Sequence, residues 1–331
     1  MKKSEFINKH LEGKPRLEMS LLPTPVHRLN NLSARLDTDL YCKRDDLTAF
    51  AFGGNKIRKL DYLLMDAIAN GYDSLITFGA VQSNWCRMTS TAGKVNGLDV
   101  FLVLSGGEPE KDTANLLLDK MAGADITYIN SLERDDIIRE TGKRMEELEK
   151  SGRKPYYMPV GGSVATGSLG YIQAMAEILE YSENNGVDFK DLVVASGSAG
   201  TQAGLVVGQL ISGWKGRITG MAVSRESHEQ EQNVFDIAKD TLELLAYDYD
   251  EDHLKSLVNV DDSYLGEGYR MITPECSQAI RDFVHFEGIF LDEVYTGKAA
   301  AGLIDYAREE KFSGRGSVLF IHTGGNVQLF E

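Results

Sequence analysis

The chain has few cysteines, no long apolar run and a shortage of positive charge, and each deficit excludes something. Three cysteines (Cys42, Cys86 and Cys276) are scattered over 331 residues. Their spacing fits neither a disulfide framework nor a zinc site, and suits a reducing cytoplasm. No apolar stretch approaches the length of a membrane span. The start, "MKKSEFINKHLEGK", is basic but lacks the apolar run of a signal peptide. Lysine and arginine total 35 against 50 aspartate and glutamate, a formal net charge of -15. Such a surface repels phosphate backbones and argues against a nucleic-acid partner. The acidic runs "ERDD" (133–136) and "DYDEDH" (248–253) lack the spacing of a calcium loop and read as solvated faces, so no metal is expected. Tandem repeats and low-complexity linkers are likewise missing.

What remains is a long chain, 42% hydrophobic, able to bury a large core in two domains or lobes. From residue 74 onward, short apolar runs alternate with amphipathic stretches. "SLITFGA" (74–80), "DVFLVLSGG" (99–107), "DITYIN" (125–130), "DLVVASGSAG" (191–200), "RITGMAVS" (217–224) and "GSVLFIHTGGN" (316–326) read as strands. This order predicts an α/β fold with open parallel sheets flanked by helices. Several strands run into glycine clusters, at 106–107, 161–162, 197–204 and 324–325. In such sheets ligands bind beyond the carboxyl ends of strands, so the clusters point to one crevice.

The loop "ASGSAGTQAGLVVG" (195–208) follows a strand and opens a helix. Gly197, Ser198, Ala199, Gly200 and Thr201 offer amides and hydroxyls suited to a phosphate ester. The loop is neither a Walker A sequence nor GxGxxG. "SGSAG" also approximates a nucleophile elbow, with Asp292 and His322 following in hydrolase order. "GAVQSNWCR" (79–87) places Gln82, Ser83 and Asn84 where a helix begins, as carboxylate or hydroxyl ligands or as plain helix caps. "DEVYTGKAAAGL" (292–303) offers Tyr295, an acid or base if a neighbouring cation lowers its pKa, with Lys298 opening a helix. Thr323, beside two glycines, can bind a ligand or satisfy its own turn.

"FGGNKIRKLDYLLMDAIANG" (52–71) poses the sharpest question. Ile57, Leu60, Leu63, Leu64 and Ile68 have helical spacing, and Asn70-Gly71 reads as the stop. Yet Lys56, Arg58 and Lys59 crowd the end where the helix dipole is already positive. Clustered charge and burial favour a neutral amine, and a neutral lysine forms Schiff bases with aldehydes. With a phosphate cradle elsewhere, the aldehyde that fits is pyridoxal phosphate. The alternative is a solvated, charged helix face.

These stretches together resemble the D-cysteine desulfhydrase and 1-aminocyclopropane-1-carboxylate (ACC) deaminase family, which has the tryptophan synthase β-like fold (pyridoxal phosphate fold type II). The matches run in order through "LPTPVHRLNNLS", "YCKRDDLT", "GGNKIRKL", "GAVQSN", "NLLLDKMAGA", "GSAGTQAGL", "VYTGKAAAGL" and "FIHTGG". The resemblance implies a large cofactor-binding domain from 1–57 and 166–331, a small domain from 58–165, and a homodimer. It implies that Lys56 carries the cofactor as a Schiff base, Asn84 meets its ring hydroxyl, and residues 197–201 hold its phosphate. Ser83 and Asn84 would meet the substrate carboxylate; Ser83, Lys56 and Tyr295 are the catalytic candidates. Deaminases of this family show "YEG" and "HLGG" where this chain has Tyr295-Thr296-Gly297 and His322-Thr323-Gly324-Gly325, the desulfhydrase-like versions. Thr296 and Thr323 would therefore face the cofactor's pyridine end without a carboxylate to hold a proton there. One departure is Trp85, where relatives carry histidine or glutamine. It would line the substrate side, stack on the ligand, or turn into the core.

The resulting expectation is a cytoplasmic carbon–sulfur lyase that uses pyridoxal phosphate for β-elimination on a small amino acid, D-cysteine first. Alternatives are an ACC deaminase, a lyase of another β-substituted amino acid, a non-catalytic cofactor or amino-acid binder, and a serine hydrolase built on Ser198.

Overall fold

Strands form where the apolar runs are continuous, and helices form where they become periodic. The structure, a computed structural model, describes residues 2–312, 314 and 316–331. The strands are β1 (Val26–Arg28), β2 (Leu40–Arg44), β3 (Ser74–Ala80), β4 (Asp99–Ser105), β5 (Asp125–Ile129), β6 (Pro155–Tyr157), β7 (Phe189–Ser196), β8 (Arg217–Ala222), β9 (Val260–Asp261) and β10 (Ser317–His322). They assort into two sheets, ordered β1-β2-β10-β7-β8-β9 and β5-β4-β3-β6. The pairs are parallel, as the alternation of strands and helices requires. The exception is β1, which runs antiparallel to β2 at the sheet edge, a common ending for a parallel sheet.

The chain divides into two units. The first comprises Met1–Lys14, Leu21–Asn55 and Ser163–Asn326, and contains the six-stranded sheet. Its central strands are buried along nearly their whole length, which is why they read as unbroken apolar runs rather than alternating ones. Leu40, Cys42, Val193, Val318 and Phe320 meet Ala299, Ala300, Ala301, Leu303 and Ile304 of the helix Thr296–Arg308 in one core. Small alanines let that helix lie close to the sheet. From β7 the chain proceeds outward through β8 and β9, whereas β10 lies on the opposite side of β7. The loops after β7 and β10 thus flank a topological switch point, the preferred place for a ligand in this architecture.

The second unit comprises Pro15–Ser20, Lys56–Gly162 and Val327–Glu331, with the four-stranded sheet. The early segment Pro15–Ser20 is tied in by Asp61. The Asp61 backbone carbonyl accepts the Leu17 amide at 2.8 Å, and its carboxylate accepts the Met19 amide at 3.0 Å and the Ser20 hydroxyl. The helix Lys56–Ala69 ends just before Asn70-Gly71, with Gly71 at φ 68°.

Candidate active site

In the first unit, the residues beyond the carboxyl ends of β7 and β10 come together through backbone contacts. The glycine pair at 53–54 is approached by the chain's own backbone. A methyl on Gly324 would lie 2.6 Å from Gly54 Cα, so neither loop tolerates a side chain there. Asn55 locks the arrangement. Its amide donates to Thr323 O at 2.9 Å, and its side-chain Nδ2 donates to Thr201 Oγ1 at 3.0 Å. The residue joined to Asn55 by the next peptide bond is Lys56.

The loop after β7 turns sharply at Ala199, φ 70°, into the helix Gly200–Ser212. Among the described residues, the amides of Ser198, Ala199, Thr201 and Gln202 donate to no protein acceptor. Unpaired donors at the positive end of a helix dipole make an anion nest. The loop is braced by Ser163, whose hydroxyl donates to Ser198 Oγ at 2.8 Å and accepts the Gly200 amide at 3.3 Å. Behind it, Ser196 donates to the buried Gln202 Oε1 at 2.6 Å and accepts from Gln230. A methyl on Gly197 would lie 3.5 Å from Tyr295 Cε1, which places the phenol ring against the cradle.

Tyr295 differs from expectation in its neighbour. Its hydroxyl lies 2.6 Å from that of Tyr269. The Lys298 ammonium instead donates to Leu265 O and Gly268 O. Burial first, then the Tyr269 phenol, raises the Tyr295 pKa well above the ordinary phenol value. Tyr295 is therefore a proton holder at neutral pH, not an activated base. Sequence reasoning missed Tyr269; its only signal was the glycine-rich context "YLGEGYR" (264–270).

Thr296 is also placed otherwise than expected. It is fully buried, its hydroxyl donates to Asp292 Oδ1 at 2.7 Å, and it accepts the Asp292 amide at 2.9 Å. The Asp292 carboxylate additionally receives the amides of Val294, Tyr295 and Thr296. Asp292 and Thr296 form a closed helix-start motif that leaves the threonine hydroxyl nothing to offer a ligand. Thr323, by contrast, has no hydrogen bond to its hydroxyl among the described residues, and only its carbonyl is used, by Asn55. The hydrolase arrangement is not formed. His322 Nε2 lies 2.8 Å from Phe290 O and its Nδ1 accepts the Gly324 amide; Ser198 pairs with Ser163. Burial lowers the His322 pKa, in keeping with a neutral ring between these two backbone groups.

In the second unit the crowded cations are not a solvated face. Arg58 is 1% and Lys59 0% exposed, and Lys56 is half-buried. Lys59 Nζ donates to Gly161 O at 3.1 Å. Burial, then the charge of Lys56, drives the Lys59 pKa well below its ordinary value.

The loop after β3 leads to the helix Asn84–Val95. Ser83 caps it, accepting the Cys86 amide at 3.2 Å, which leaves the Ser83 hydroxyl proton to donate. Asn84 lies in an amide network: its Oδ1 accepts from Asn115 Nδ2 at 3.1 Å and its Nδ2 donates to Gln328 Oε1 at 3.2 Å. Gln82 Oε1 accepts the Asn115 amide at 2.9 Å. Asn115 and Gln328 were not legible as site residues. Trp85 takes the last of its three options and turns into the core. It is 2% exposed, and its indole N–H donates to Thr77 Oγ1 at 2.8 Å. The ring edge packs on Gly162, where a methyl would lie 2.7 Å from Trp85 Cη2. So placed, the indole presents no polar atom to a substrate.

The unpartnered amides of Ser198, Ala199, Thr201 and Gln202 and the Thr201 and Thr323 hydroxyls fit a phosphorylated ligand in the chemistry of their donors, and the residue after Asn55 in sequence is a lysine, an amine that can take an aldehyde. Comparison with known proteins agrees. The model of the PALP family, described as "Pyridoxal-phosphate dependent enzyme", matches residues 17–324. A Pyrococcus furiosus protein named provisionally as a 1-aminocyclopropane-1-carboxylate deaminase is 43% identical over 317 residues, covering 96% of this chain and 94% of its own length. A D-cysteine desulfhydrase of Yersinia pestis is 40% identical over 324 residues, covering 96% of this chain and 95% of its own. A crystal structure of an ACC deaminase homologue superposes with a TM-score of 0.90 at 41% identity, covering 98% of this chain and 96% of that one. The processed form of threonine deaminase isoform 2 from Solanum lycopersicum, at 17% identity and a TM-score of 0.69, shares the fold. The chain therefore belongs to the PALP family of pyridoxal-phosphate dependent enzymes, of fold type II, and its cofactor is pyridoxal phosphate.

Proposed function

We propose that the chain is a lyase that eliminates the β-substituent of a small amino acid, with D-cysteine as substrate and pyruvate, sulfide and ammonia as products. The observation that carries this reading is that Thr296 and Thr323, the two positions that the resemblance turns toward the cofactor's pyridine end, are both hydroxyls and not carboxylates. Thr296 stands where ACC deaminases of the resembling family have glutamate, and the buried Asp292 carboxylate is filled by donors of its own helix start. Neither position supplies a carboxylate to hold a proton on a ring nitrogen: Thr296 is spent on Asp292, and Thr323 offers only a hydroxyl. That suits expulsion of a good leaving group better than opening a cyclopropane.

In this reading Lys56 is the covalent anchor through Nζ. Asn84 would meet the ring hydroxyl, the free amides of Ser198, Ala199, Thr201 and Gln202 with the Thr201 hydroxyl would hold the phosphate, and Thr323 would meet the ring nitrogen. When bound, pyridoxal phosphate supplies an aldehyde for the substrate amine and an electron sink for the bond broken at Cα. Ser83 and Asn84 orient the substrate carboxylate. Lys56 Nζ, freed once the substrate amine has taken its place, would accept the Cα proton, because Tyr295 Oη keeps its own through neutral pH. Tyr295 Oη, backed by Tyr269, then donates toward the departing sulfur. The active form is a cytoplasmic homodimer, consistent with three buried, unpaired thiols.

The test is a panel of D- and L-amino acids and ACC on purified holoenzyme, scored for sulfide, 2-oxo acid and ammonia. Borohydride reduction and peptide mapping go alongside. Sulfide from D-cysteine and a phosphopyridoxyl group on Lys56 are expected. Formation of 2-oxobutanoate from ACC, without sulfide from D-cysteine, would replace the desulfhydrase reading with the deaminase one. A light-scattering mass of one chain would remove the dimer.

A further inference from the structure

The sequence singles out Lys298 as the cation beside Tyr295, and the structure gives it a different task. Lys298 lies three residues beyond Tyr295, one turn into the helix Thr296–Arg308, and is 0% exposed. Its Nζ donates to Leu265 O at 2.7 Å and to Gly268 O at 2.8 Å. The second of these is the carbonyl of the peptide bond that leads into Tyr269. Within the loop, Leu265 N donates to Asp262 O at 2.9 Å and Met271 N to Gly268 O at 3.2 Å, and Lys298 adds a clasp from outside it. Gly266, Gly268 and Arg270 sit at φ 68°, 150° and 65°, and Tyr269 is 41% exposed. Yet its end is placed well enough to set Tyr269 Oη 2.6 Å from Tyr295 Oη.

We propose that Lys298 is a positioning residue for catalysis: by clasping the carbonyls of Leu265 and Gly268 it holds the Tyr269 hydroxyl against Tyr295. One side chain thereby ties both phenols to the same helix turn. A lysine suits the task because an ammonium directs three donors from one point and accepts nothing. The other titratable groups around the clasp are Cys276, which faces Lys298, and Asp292 and Arg270, which face Tyr295. The proposal deepens the reading of Tyr295 as a proton donor and rests on it for its kinetic consequence only.

The experiment compares the wild-type holoenzyme with Lys298→Met, Lys298→Arg, Tyr269→Phe and the double variant K298M/Y269F. Hydrogen exchange followed by mass spectrometry reads the loop without reference to any substrate. In K298M, exchange over 264–271 is expected to rise about tenfold, the scale of one charged hydrogen bond, with the helix 296–308 unchanged. Turnover is expected to fall about tenfold with KM and the cofactor's visible spectrum retained. Arginine should restore most of both. K298M/Y269F should be no slower than Y269F alone, because the lysine acts through that phenol. The proposal is overturned if the loop exchanges as in wild type, if the helix loosens as much as the loop, or if the two substitutions multiply in full. Should K298M fail to fold, Lys298→Gln, which keeps two donors without charge, is read against the same outcomes. Absence of activity on D-cysteine would overturn the substrate reading and leave the exchange result standing.

Discussion

Trp85 and Gly162 fit one another edge to backbone: the indole lies where any side chain at 162 would be, with its N–H on Thr77. Thr77 in turn donates to Met158 O at 2.6 Å, so the indole closes a short buried relay. Trp85 of "QSNWCR" is therefore a packing residue.

Two substitutions check that assignment. Gly162→Ala, with φ at 58° and a clash against the indole, should cost about 1–3 kcal/mol. Trp85→Phe should cost a similar ~1–2 kcal/mol through the lost hydrogen bond and volume. Because the smaller ring makes room, the double variant should be less destabilised than the sum. Chemical denaturation measures all three; strict additivity would contradict the contact. The order of substrate preference should survive Trp85→Phe, and a reordered panel would return the indole to the substrate side.

Asp119 gives a pH dependence with a definite sign. It is buried at 0% exposure; one oxygen accepts the Ser90 hydroxyl at 2.6 Å and the other has no hydrogen-bond partner. Burial pushes its pKa up to about 7, against the lowering effects of Ser90 and Arg87. A raised acid binds its proton more tightly folded than unfolded, so its contribution falls as pH rises from about 4 through 7. The slope approaches about 1.4 kcal/mol per pH unit within that window. Asp119→Asn, which resembles the protonated form, should flatten the dependence and be at least as stable as wild type at pH 8. Melting curves at pH 5, 6.5 and 8 decide this; an unchanged slope would show that Asp119 does not titrate there.

Asp292 is expected to matter for structure before chemistry. Its carboxylate receives three amides and the Thr296 hydroxyl, all from the start of one helix. Asp292→Ala leaves those buried donors unsatisfied and should cost roughly 2–4 kcal/mol. Asp292→Asn should recover part of that. Thermal unfolding together with cofactor occupancy would show whether activity is lost only in proportion to folding.

Lys56 and Tyr295 should separate kinetically. Lys56→Ala removes the anchor and should lower turnover by about 10³-fold or more, with an altered visible spectrum. Tyr295→Phe keeps the anchor and should lower turnover by about 10²–10⁴-fold, with the spectrum retained. Stopped-flow absorbance distinguishes the two. A Tyr295→Phe enzyme with full turnover would assign the proton donor elsewhere.

How legible each feature was depends on how local its cause is. The strand at 74–80 was readable residue for residue, because a buried parallel strand is a continuous apolar run. The helix from Lys56 was readable from its apolar period and its Asn-Gly stop. The nest of free amides after β7 was readable as a loop because a strand, a glycine cluster and a helix start adjoin in sequence. Tyr269 was not, since its closeness to Tyr295 depends on a loop anchored through Lys298. The hydroxyl of Thr296 was assigned to the cofactor and the indole of Trp85 was left between ligand and core because sequence shows which residue stands at a position, not where its χ angles aim it.

The sequence by itself thus determined the α/β class, through its periodicity, and its motifs in order carried the resemblance that pointed to the family and the cofactor. Tertiary structure decided which polar groups are left over for a ligand. A hydroxyl or ammonium is available only if folding brings it no partner, and such partners can be far apart in sequence, as Asn55 is from Thr201. The Lys298 ammonium thus faces the carbonyls of Leu265 and Gly268, while the Thr323 hydroxyl keeps no hydrogen-bond partner among the described residues.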